Sequence, residues 1–354
     1  MSNGYEWVLF QNYLERSVDE RPISSLVNTD FKNAVFVLIE GFEERSIGIA
    51  ETLVRAACKF KACVIGTYPN ESSANSRYHE RAVTAAQALA GSSVLTVPIN
   101  NKGDWLTTVL SGISHTSVVL DITGLSTRSL FGALDAVSTC STSTTITYSE
   151  ANRYWPTLTD WSAIKNSLVE FKTVADVVDD APWLFGHEHN VELIANHEGY
   201  DSPAASTMLL AFLPFKRARL AAIVSNHDYE KNIFIAGKPR LHENEWRLDA
   251  LLEINRGIIK SWRLEEMSTF GYRKALSQMF ELTLSENSNL LLKHNVHLGL
   301  LGSKLQDVGC WIYSTLVPSV AVITSVPNEY FPDSFSDGIG KQWGFPLARP
   351  ILVA

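Results

Sequence analysis

The sequence predicts an α/β protein built from two tandem Rossmann-like parallel-sheet repeats that are related by internal duplication. Strand-like runs alternate with amphipathic helical stretches, and these runs are continuously apolar, as in strands that helices cover on both faces. Four short segments also recur in the same order. A recurrence at a nearly constant lag indicates two copies of one structural unit.

The recurring segments are separated by 170 to 176 residues (231 minus 61 and 328 minus 152). The correspondences are Val35–Arg45 with Met208–Arg217, Lys61–Pro69 with Lys231–Pro239, Val119–Arg128 with Asn295–Lys304, and Asn152, Tyr154, Trp155 and Pro156 with Asn328, Tyr330, Phe331 and Pro332. Phe42 and Phe215 anchor the first pair. We expect all four segments to lie at the carboxyl ends of strands.

The first repeat, residues 34–156, follows a leading helix and loop at residues 1–33. Its predicted elements are a strand at 34–39, a helix at about 44–59, a strand at 62–66, a helix at about 76–90, a strand at 93–98, a helix near 103–113, a strand at 117–122, a helix near 126–138 and a strand at 144–149. The β-branched residues in the apolar runs favour the strand assignments.

The second repeat, residues 207–335, is predicted to follow the same order. Its elements are a strand at 207–213, a helix at 216–229, a strand at 232–236, a helix at 244–256, a strand near 257–263, a helix at 270–285, a strand at 295–301, a helix at 303–315 and a strand at 319–325. Residues 157–206 connect the repeats and include a possible edge strand at Asn190–Asn196. The tail, residues 336–354, begins with a predicted loop at Ser336–Lys341.

Composition excludes several classes of function. Apolar residues make up 45% of the 354 residues, which suits a globular protein with two ordinary domains. No apolar run reaches the roughly 20 residues of a membrane span, and the N-terminus lacks the basic start of a signal peptide. The formal net charge of −8 argues against broad binding to duplex nucleic acid. We therefore expect a cytoplasmic protein.

The cysteine and histidine patterns predict neither a metal site nor a cofactor. The four cysteines are scattered without a C-x-x-C pair, so we expect reduced core residues. They are Cys58, Cys63, Cys140 and Cys310. The spacing of His187, His189 and His197 fits no standard metal site.

The candidate ligand-binding residues lie in turns that follow the repeated strands. Small residues, hydroxyls and cations at the start of a helix suit an anion, because backbone N–H groups and a side-chain charge converge there. The candidates are Gly41, Glu44, Arg45, Ser46, Thr123, Ser126, Thr127, Arg128 and Tyr154 in the first repeat, and Lys216, Arg217, Arg219, Gly302, Ser303, Lys304 and Tyr330 in the second. We expect turns from both repeats to converge on one groove that binds a ligand with two or more phosphates.

Each candidate also has an ordinary structural explanation. Thr127 and Ser303 could serve only as helix N-caps, Glu44 could simply favour the positive start of a helix, and the two tyrosines could be packing residues. The alternative to a binding protein is a nucleotide-processing enzyme that uses Glu43 or Glu44 beside Arg45, with Asp121 as a further carboxylate. No nucleophile elbow, catalytic triad or nuclease cluster is visible. A third alternative is a scaffold that uses aromatic residues of the connection, Trp161 and Trp183, to hold a partner.

The turn formed by Gly302, Ser303 and Lys304, with its first-repeat counterpart Ser126, Thr127 and Arg128, resembles a motif of the CARF and SAVED sensor domains of prokaryotic antiviral systems. In those families, paired Rossmann-like units bind cyclic oligonucleotides or related nucleotide signals, and a Gly/Ser/Thr-Lys turn contributes to the pocket. The resemblance implies a nucleotide sensor. Its effector would be another protein, because both repeats leave no segment for a nuclease, protease or membrane effector.

Overall fold

The computed structural model describes residues 3–69, 74–139, 143–170, 189–259, 263–284, 290–328 and 335–350. The chain divides into two compact units. The first unit comprises Tyr13–Tyr154 and Phe335–Pro350, and the second comprises residues 3–12 and the described residues from Trp155 to Asn328. Each unit contains one large sheet.

Helices and strands alternate through most of the chain. The helices are α1 (Asn3–Arg16), α2 (Gly48–Arg55), α3 (His79–Ala90), α4 (Asp104–Ser111), α5 (Thr127–Thr139), α6 (Leu158–Glu170), α7 (Arg217–Ser225), α8 (Trp246–Ile259), α9 (Tyr272–Leu284), α10 (Leu290–Lys293) and α11 (Lys304–Leu316). The strands are β1 (Arg21–Pro22), β2 (Ala34–Ile39), β3 (Ala62–Thr67), β4 (Val94–Pro98), β5 (Ser117–Asp121), β6 (Ser143–Ser149), β7 (Arg153–Tyr154), β8 (His189–Leu193), β9 (Ser206–Phe212), β10 (Lys231–Lys238), β11 (Arg263–Ser268), β12 (His294–Gly299), β13 (Ala321–Pro327), β14 (Ser336–Asp337) and β15 (Gln342–Leu347).

The sheet of the first unit has the strand order β1-β15-β6-β5-β2-β3-β4. The strands β2 to β6 are parallel, and β15 pairs with β6 in the antiparallel direction. Numbered along the chain, the parallel strands have the order 3-2-1-4-5 of a doubly wound sheet. All six residues of β2 are buried, which explains why this central strand is continuously apolar.

The sheet of the second unit has the strand order β11-β10-β9-β12-β13-β8. Its five parallel strands follow the same 3-2-1-4-5 order, and the antiparallel strand β8 lies beside β13. The prediction of two Rossmann-like repeats is therefore confirmed. The edge strand expected within residues 190–196 is also present as part of β8.

Three of the four recurring sequence segments fall on equivalent strands of the two sheets. Strand β2 corresponds to β9, β3 to β10 and β5 to β12, which are the first, second and fourth parallel strands of their units. Strand β6 and strand β13 are equivalent last strands. Segments related by the lag in sequence therefore also occupy equivalent places in the two sheets.

Two local predictions differ from the structure. The strand expected near 257–263 lies instead at β11 (Arg263–Ser268), because Gly257, Ile258 and Ile259 form the last turn of α8. The predicted loop at 336–341 begins with the two-residue strand β14, which pairs with β7. The tail then forms β15, a strand that the sequence pattern did not predict, and its residue Phe345 is completely buried.

The leading helix α1 is present as predicted. Its Phe10 ring stacks on Phe280 of α9, with ring centroids 4.2 Å apart, and Trp7 contacts the same ring edge-on. These contacts explain the apolar residues at the start of the chain. Within the part of the chain that the structure describes, no helix is both long and apolar enough to cross a membrane.

Candidate functional site

Each sheet has a topological switch point, where the chain order of neighbouring parallel strands reverses. In the first unit this point lies between β2 and β5, and in the second unit it lies between β9 and β12. Ligands of open α/β sheets bind outside the carboxyl ends of strands at such points. Most of the predicted site residues follow these four strands.

Two glycines shape the switch point of the first unit. A Cβ atom at Gly124 would lie 2.1 Å from the carbonyl oxygen of Ile39, so no other residue fits there without a backbone shift. A Cβ atom at Gly41 would be 3.8 Å from Gly124, which is ordinary contact. Gly124 is therefore required by close packing of two loops, whereas Gly41 is not.

Arg45 is committed to contacts within the first unit. Its guanidinium donates three hydrogen bonds to the carboxylate of Glu43 at 2.9 to 3.2 Å. It donates two more, to the Tyr148 hydroxyl at 3.1 Å and to the Ser149 carbonyl at 3.2 Å. These five bonds account for the five N–H groups of an arginine. The geometry therefore favours a structural role for Arg45 and Glu43 over phosphate binding or acid–base catalysis.

Tyr154 belongs to the same cluster. The Arg45 guanidinium lies 5.5 Å from the centre of its ring, and its hydroxyl accepts a hydrogen bond from the Ala151 N–H at 2.8 Å. The two hydroxyls of Tyr148 and Tyr154 are 3.4 Å apart. This arrangement favours the packing interpretation of Tyr154 over stacking on a nucleobase. Its counterpart Tyr330 lies outside the described residues.

Asp121 and Thr123 form a buried turn after β5. The Oδ1 atom of Asp121 accepts hydrogen bonds from the Thr123 N–H at 3.0 Å and from the Thr123 hydroxyl at 2.5 Å. Thr123 in turn accepts a hydrogen bond from the Ser149 N–H at 2.9 Å. Burial raises the pKa of Asp121 from 3.8 to about 7, although the hydrogen bonds from Thr123 and the charge of Arg45 oppose the rise. Thr123 therefore holds the loop together.

The start of α5 is capped by Ser126. Its Oγ atom accepts a hydrogen bond from the Ser129 N–H at 3.2 Å, and its own N–H donates to the Tyr68 hydroxyl at 2.6 Å. Thr127 and Arg128 are the first two residues of the helix and are half-buried. The N-cap residue is therefore Ser126, one residue before Thr127, which the sequence predicted as the cap.

The remaining candidates of the first unit, Ser46 and Glu44, differ in burial and in hydrogen bonding. Ser46 is buried and its Oγ atom has no hydrogen-bond partner within the described part of the chain. Glu44 is half-buried and accepts a hydrogen bond from Arg81 at 2.9 Å. Arg81 also bonds Glu51 at 2.8 Å. Glu44 therefore belongs to an ion-pair network along α2 and α3.

The sequence did not predict a contact between a carboxylate and a histidine at the carboxyl end of β2. Glu40, at the end of β2, is buried and accepts a hydrogen bond from Nδ1 of His79 at 2.6 Å. His79 is the first residue of α3. The only sequence signal was a charged residue directly after an apolar strand, because 39 residues separate the two partners.

The switch point of the second unit is basic. Lys216, Arg217 and Arg219 lie between the end of β9 and the first turn of α7. Burial and the nearby charge of Arg219 lower the pKa of Lys216 from 10.5 to about 8, and burial lowers the pKa of Arg217. Arg219 donates a hydrogen bond to the carbonyl oxygen of Ser325 at 3.1 Å. The protein thus holds a partly desolvated cation beside a second cation.

Ser303 caps helix α11. Its Oγ atom accepts from the Gln306 N–H, while the Ser303 N–H donates to Oε1 of Gln306 at 2.8 Å, which completes a capping box. A Cβ atom at Gly302 would lie 2.5 Å from Oε1 of Gln306, so a larger residue there would displace the side chain that completes the capping box. Lys304 is the first residue of the helix and is half-buried. Capping alone therefore accounts for Ser303 and Gly302.

The two switch points carry opposite charges at equivalent positions. With the lag of 173 that relates Phe42 to Phe215 (215 minus 42), Glu43 corresponds to Lys216 and Glu44 to Arg217. The positions that carry cations after β9 therefore carry carboxylates after β2, and these carboxylates are paired with Arg45 and Arg81. This charge difference arises from individual residues in the loops. The shared fold does not require it.

Arginine–aromatic contacts surround the basic loops of the second unit. The guanidinium of Arg247 lies 4.5 Å from the centre of the Phe215 ring and 5.2 Å from that of Trp246. The guanidinium of Arg240 lies 4.3 Å from the centre of the Phe270 ring. Flat cationic and aromatic groups of this kind suit the faces of nucleobases.

The described residues contain no cluster of three or more histidine, cysteine or acidic side chains that could hold a metal ion. His189 contacts the Ser325 hydroxyl at 3.0 Å, and His197 contacts the Ser314 hydroxyl at 2.8 Å, so both serve local packing. His187, Trp183 and Cys140 lie outside the described residues. The other three cysteines are buried and unpaired by disulfides. Trp161 is also buried, so it does not offer the exposed aromatic surface expected for a scaffold.

No protein-family model and no curated protein sequence match the chain. Among solved structures, a type III CRISPR defence DNA nuclease activated by cyclic oligoadenylate is similar with a TM-score of 0.48 and 12% identity, over 78% of this chain and 63% of the nuclease. The chain thus spans less than two thirds of that protein. A SAM-dependent methyltransferase from Anabaena variabilis is similar with a TM-score of 0.24 and 9% identity, over 55% of this chain and 86% of the methyltransferase.

Proposed function

We propose that this chain is a nucleotide-sensing subunit of a prokaryotic antiviral system, which binds a phosphate-bearing nucleotide at the switch point of its second unit. The observation that carries the proposal is the group of three cations, Lys216, Arg217 and Arg219, between the end of β9 and the first turn of α7, where burial and the charge of Arg219 lower the pKa of Lys216 to about 8. Burial and a neighbouring cation both raise the free energy of a charged lysine. An anion that binds there would relieve both costs.

Two further features support a nucleotide rather than a simple inorganic anion. Lys304 opens helix α11 after the neighbouring strand β12, so a second cation and a helix N-terminus lie at the same edge of the sheet. Arg240 with Phe270 and Arg247 with Phe215 supply flat surfaces for bases. The resemblance to CARF and SAVED domains supports a cyclic oligonucleotide or a related nucleotide as the ligand.

The signal would pass to a partner effector protein. Binding shifts a conformational equilibrium only if the ligand has different affinities for the two states. Neutralising the charges of Lys216 and Arg219 supplies such a difference, because their repulsion disappears in the bound state. The convergence of Arg128 and Lys304 on one groove stays a prediction.

The geometry favours binding over the alternative of a nucleotide-processing enzyme that uses Glu43 or Glu44. Both carboxylates already accept hydrogen bonds from arginines, Glu43 from Arg45 and Glu44 from Arg81. Asp121 is 1% exposed and is held by Thr123, so it does not contact solvent as a catalytic acid would.

The test is calorimetric titration of the full chain with cyclic oligoadenylate and, separately, with inorganic phosphate. Replacing Lys216 by Met keeps the apolar stem and removes the charge, so we expect affinity for the nucleotide to fall about 10–100-fold with the fold intact. Lys231→Ala, at the opposite end of the neighbouring strand β10, is the matched control and should bind as the wild type does. Equal affinities of K216M and wild type for the nucleotide would exclude this site.

A further inference from the structure

The carboxylate–imidazole pair formed by Glu40 and His79 has the geometry of a reactive histidine. Nδ1 of His79 and Oε2 of Glu40 are 2.6 Å apart. The Glu40 side chain is 7% exposed, whereas the His79 side chain is 42% exposed. The pair therefore consists of a buried orienting group and an imidazole that reaches solvent.

The hydrogen bond fixes which nitrogen of His79 can react. An ionised carboxylate only accepts hydrogen bonds, so Nδ1 carries the hydrogen and Nε2 carries the lone pair. Within the described residues, the Glu40 carboxylate makes no other hydrogen bond, and Nε2 of His79 has no hydrogen-bond partner. Among the described residues, the buried carboxylate of Glu40 therefore bonds only the imidazole of His79.

The position of the pair favours an anionic reaction partner. Glu40 directly follows β2, the first strand at the switch point, and His79 is the first residue of the 12-residue helix α3. The positive end of the helix dipole lies there. The N-terminus of a helix favours a phosphate group over a neutral one.

We propose that Nε2 of His79 is a nucleophile that accepts a phosphoryl group from a phosphoanhydride, acyl phosphate or phosphoramidate donor. The Nε2 lone pair forms the N–P bond while the bond from phosphorus to the leaving group breaks, and the leaving group keeps the electron pair. Nδ1 keeps its hydrogen. The positive charge that develops on the ring then faces the carboxylate of Glu40, which stabilises it without a change of solvation. This activity is independent of nucleotide binding at Lys216.

A second histidine–glutamate pair in the chain supplies a matched control. Nδ1 of His242 and Oε2 of Glu245 are 2.7 Å apart, but their side chains are 91% and 57% exposed. Water competes for this exposed pair, so Glu245 does not hold the imidazole in one orientation. The two pairs share their chemistry and differ in burial of the carboxylate.

The experiment treats the full chain with phosphoramidate at neutral pH and maps phosphohistidine by mass spectrometry without acid, with ³¹P NMR to identify the N–P bond. We expect His79 in the wild type to be modified at least about tenfold faster than His242, since oriented carboxylates contribute about 10–100-fold to imidazole function. Glu40→Gln should lower the rate at His79 by a similar factor. Glu245→Gln should leave the rate at His242 unchanged.

Equal rates at His79 and His242 in the wild type would overturn the proposal, and this comparison needs no variant. An unchanged rate at His79 in a folded E40Q protein would overturn it as well. Circular dichroism and thermal denaturation establish whether E40Q is folded. His79→Gln, which removes the nucleophile, should abolish the modification at this position only.

Discussion

Replacing Asp121 by Asn should change how the stability of the protein depends on pH. Asp121 is 1% exposed, its Oδ2 atom has no hydrogen-bond partner among the described residues, and burial raises its pKa from 3.8 to about 7. The folded state therefore binds a proton more tightly than the unfolded state. The resulting stabilisation is fully present below the unfolded pKa and is lost as the pH rises through the folded value.

The size of the effect follows from those two pKa values. The full difference is worth about 4 kcal/mol, of which about 2.5 kcal/mol is lost between about pH 5 and about pH 8. Asparagine keeps the oxygen that accepts from Thr123 and does not titrate. Asp121→Asn should therefore gain about 2.5 kcal/mol relative to the wild type between those pH values.

Urea denaturation, followed by tryptophan fluorescence, measures this change. The midpoint of D121N relative to that of the wild type should move by about 1 M between the two pH values. Asp30→Asn is the control, because Asp30 also accepts an N–H bond two residues ahead, from Lys32 at 3.1 Å, but is exposed. Parallel pH profiles for D121N and the wild type would refute the argument from burial.

Three further predictions concern the switch points. The Lys304→Ala variant should bind the nucleotide more weakly in calorimetry and keep its circular dichroism spectrum, and an unchanged affinity would remove Lys304 from the proposed site. Because the pKa of Lys216 is lowered to about 8, nucleotide affinity should fall as the pH rises through that value, and K216M should lack this dependence in titrations at a series of pH values. Gly124→Ala should destabilise the protein by about 1–3 kcal/mol in urea denaturation, because its Cβ would meet backbone, whereas Gly4→Ala, with open space around it, should not.

The sequence predicted most of the fold because buried parallel strands leave a local signal. A strand covered on both faces is continuously apolar, as β2 is, and can be recognised without knowing its neighbours. Strand β15 escaped prediction because it is an antiparallel strand whose partner β6 lies almost 200 residues earlier (342 minus 149 is 193). Half of its six residues are partly exposed or exposed, so its pattern resembles that of a loop.

The sequence predicted where the candidate residues lie along the helices and strands. It did not predict which side chains they contact. The sequence placed Ser303 at a helix start, and the capping box with Gln306 is a local feature of that kind. The partners of Arg45 could not be predicted, because Tyr148 is 103 residues away. The pairing of Glu40 with His79 was missed for the same reason.

The sequence alone determined the repeated order of helices and strands, since hydrophobic periodicity and the recurrence of segments are properties of neighbouring residues. Only the tertiary structure decided the surroundings of each charge. Arg45 and Lys216 both follow the first parallel strand of their sheets, yet Arg45 bonds Glu43, whereas burial and the charge of Arg219 lower the pKa of Lys216. Burial and partners set the free energy of a charge, and both depend on residues brought together by folding.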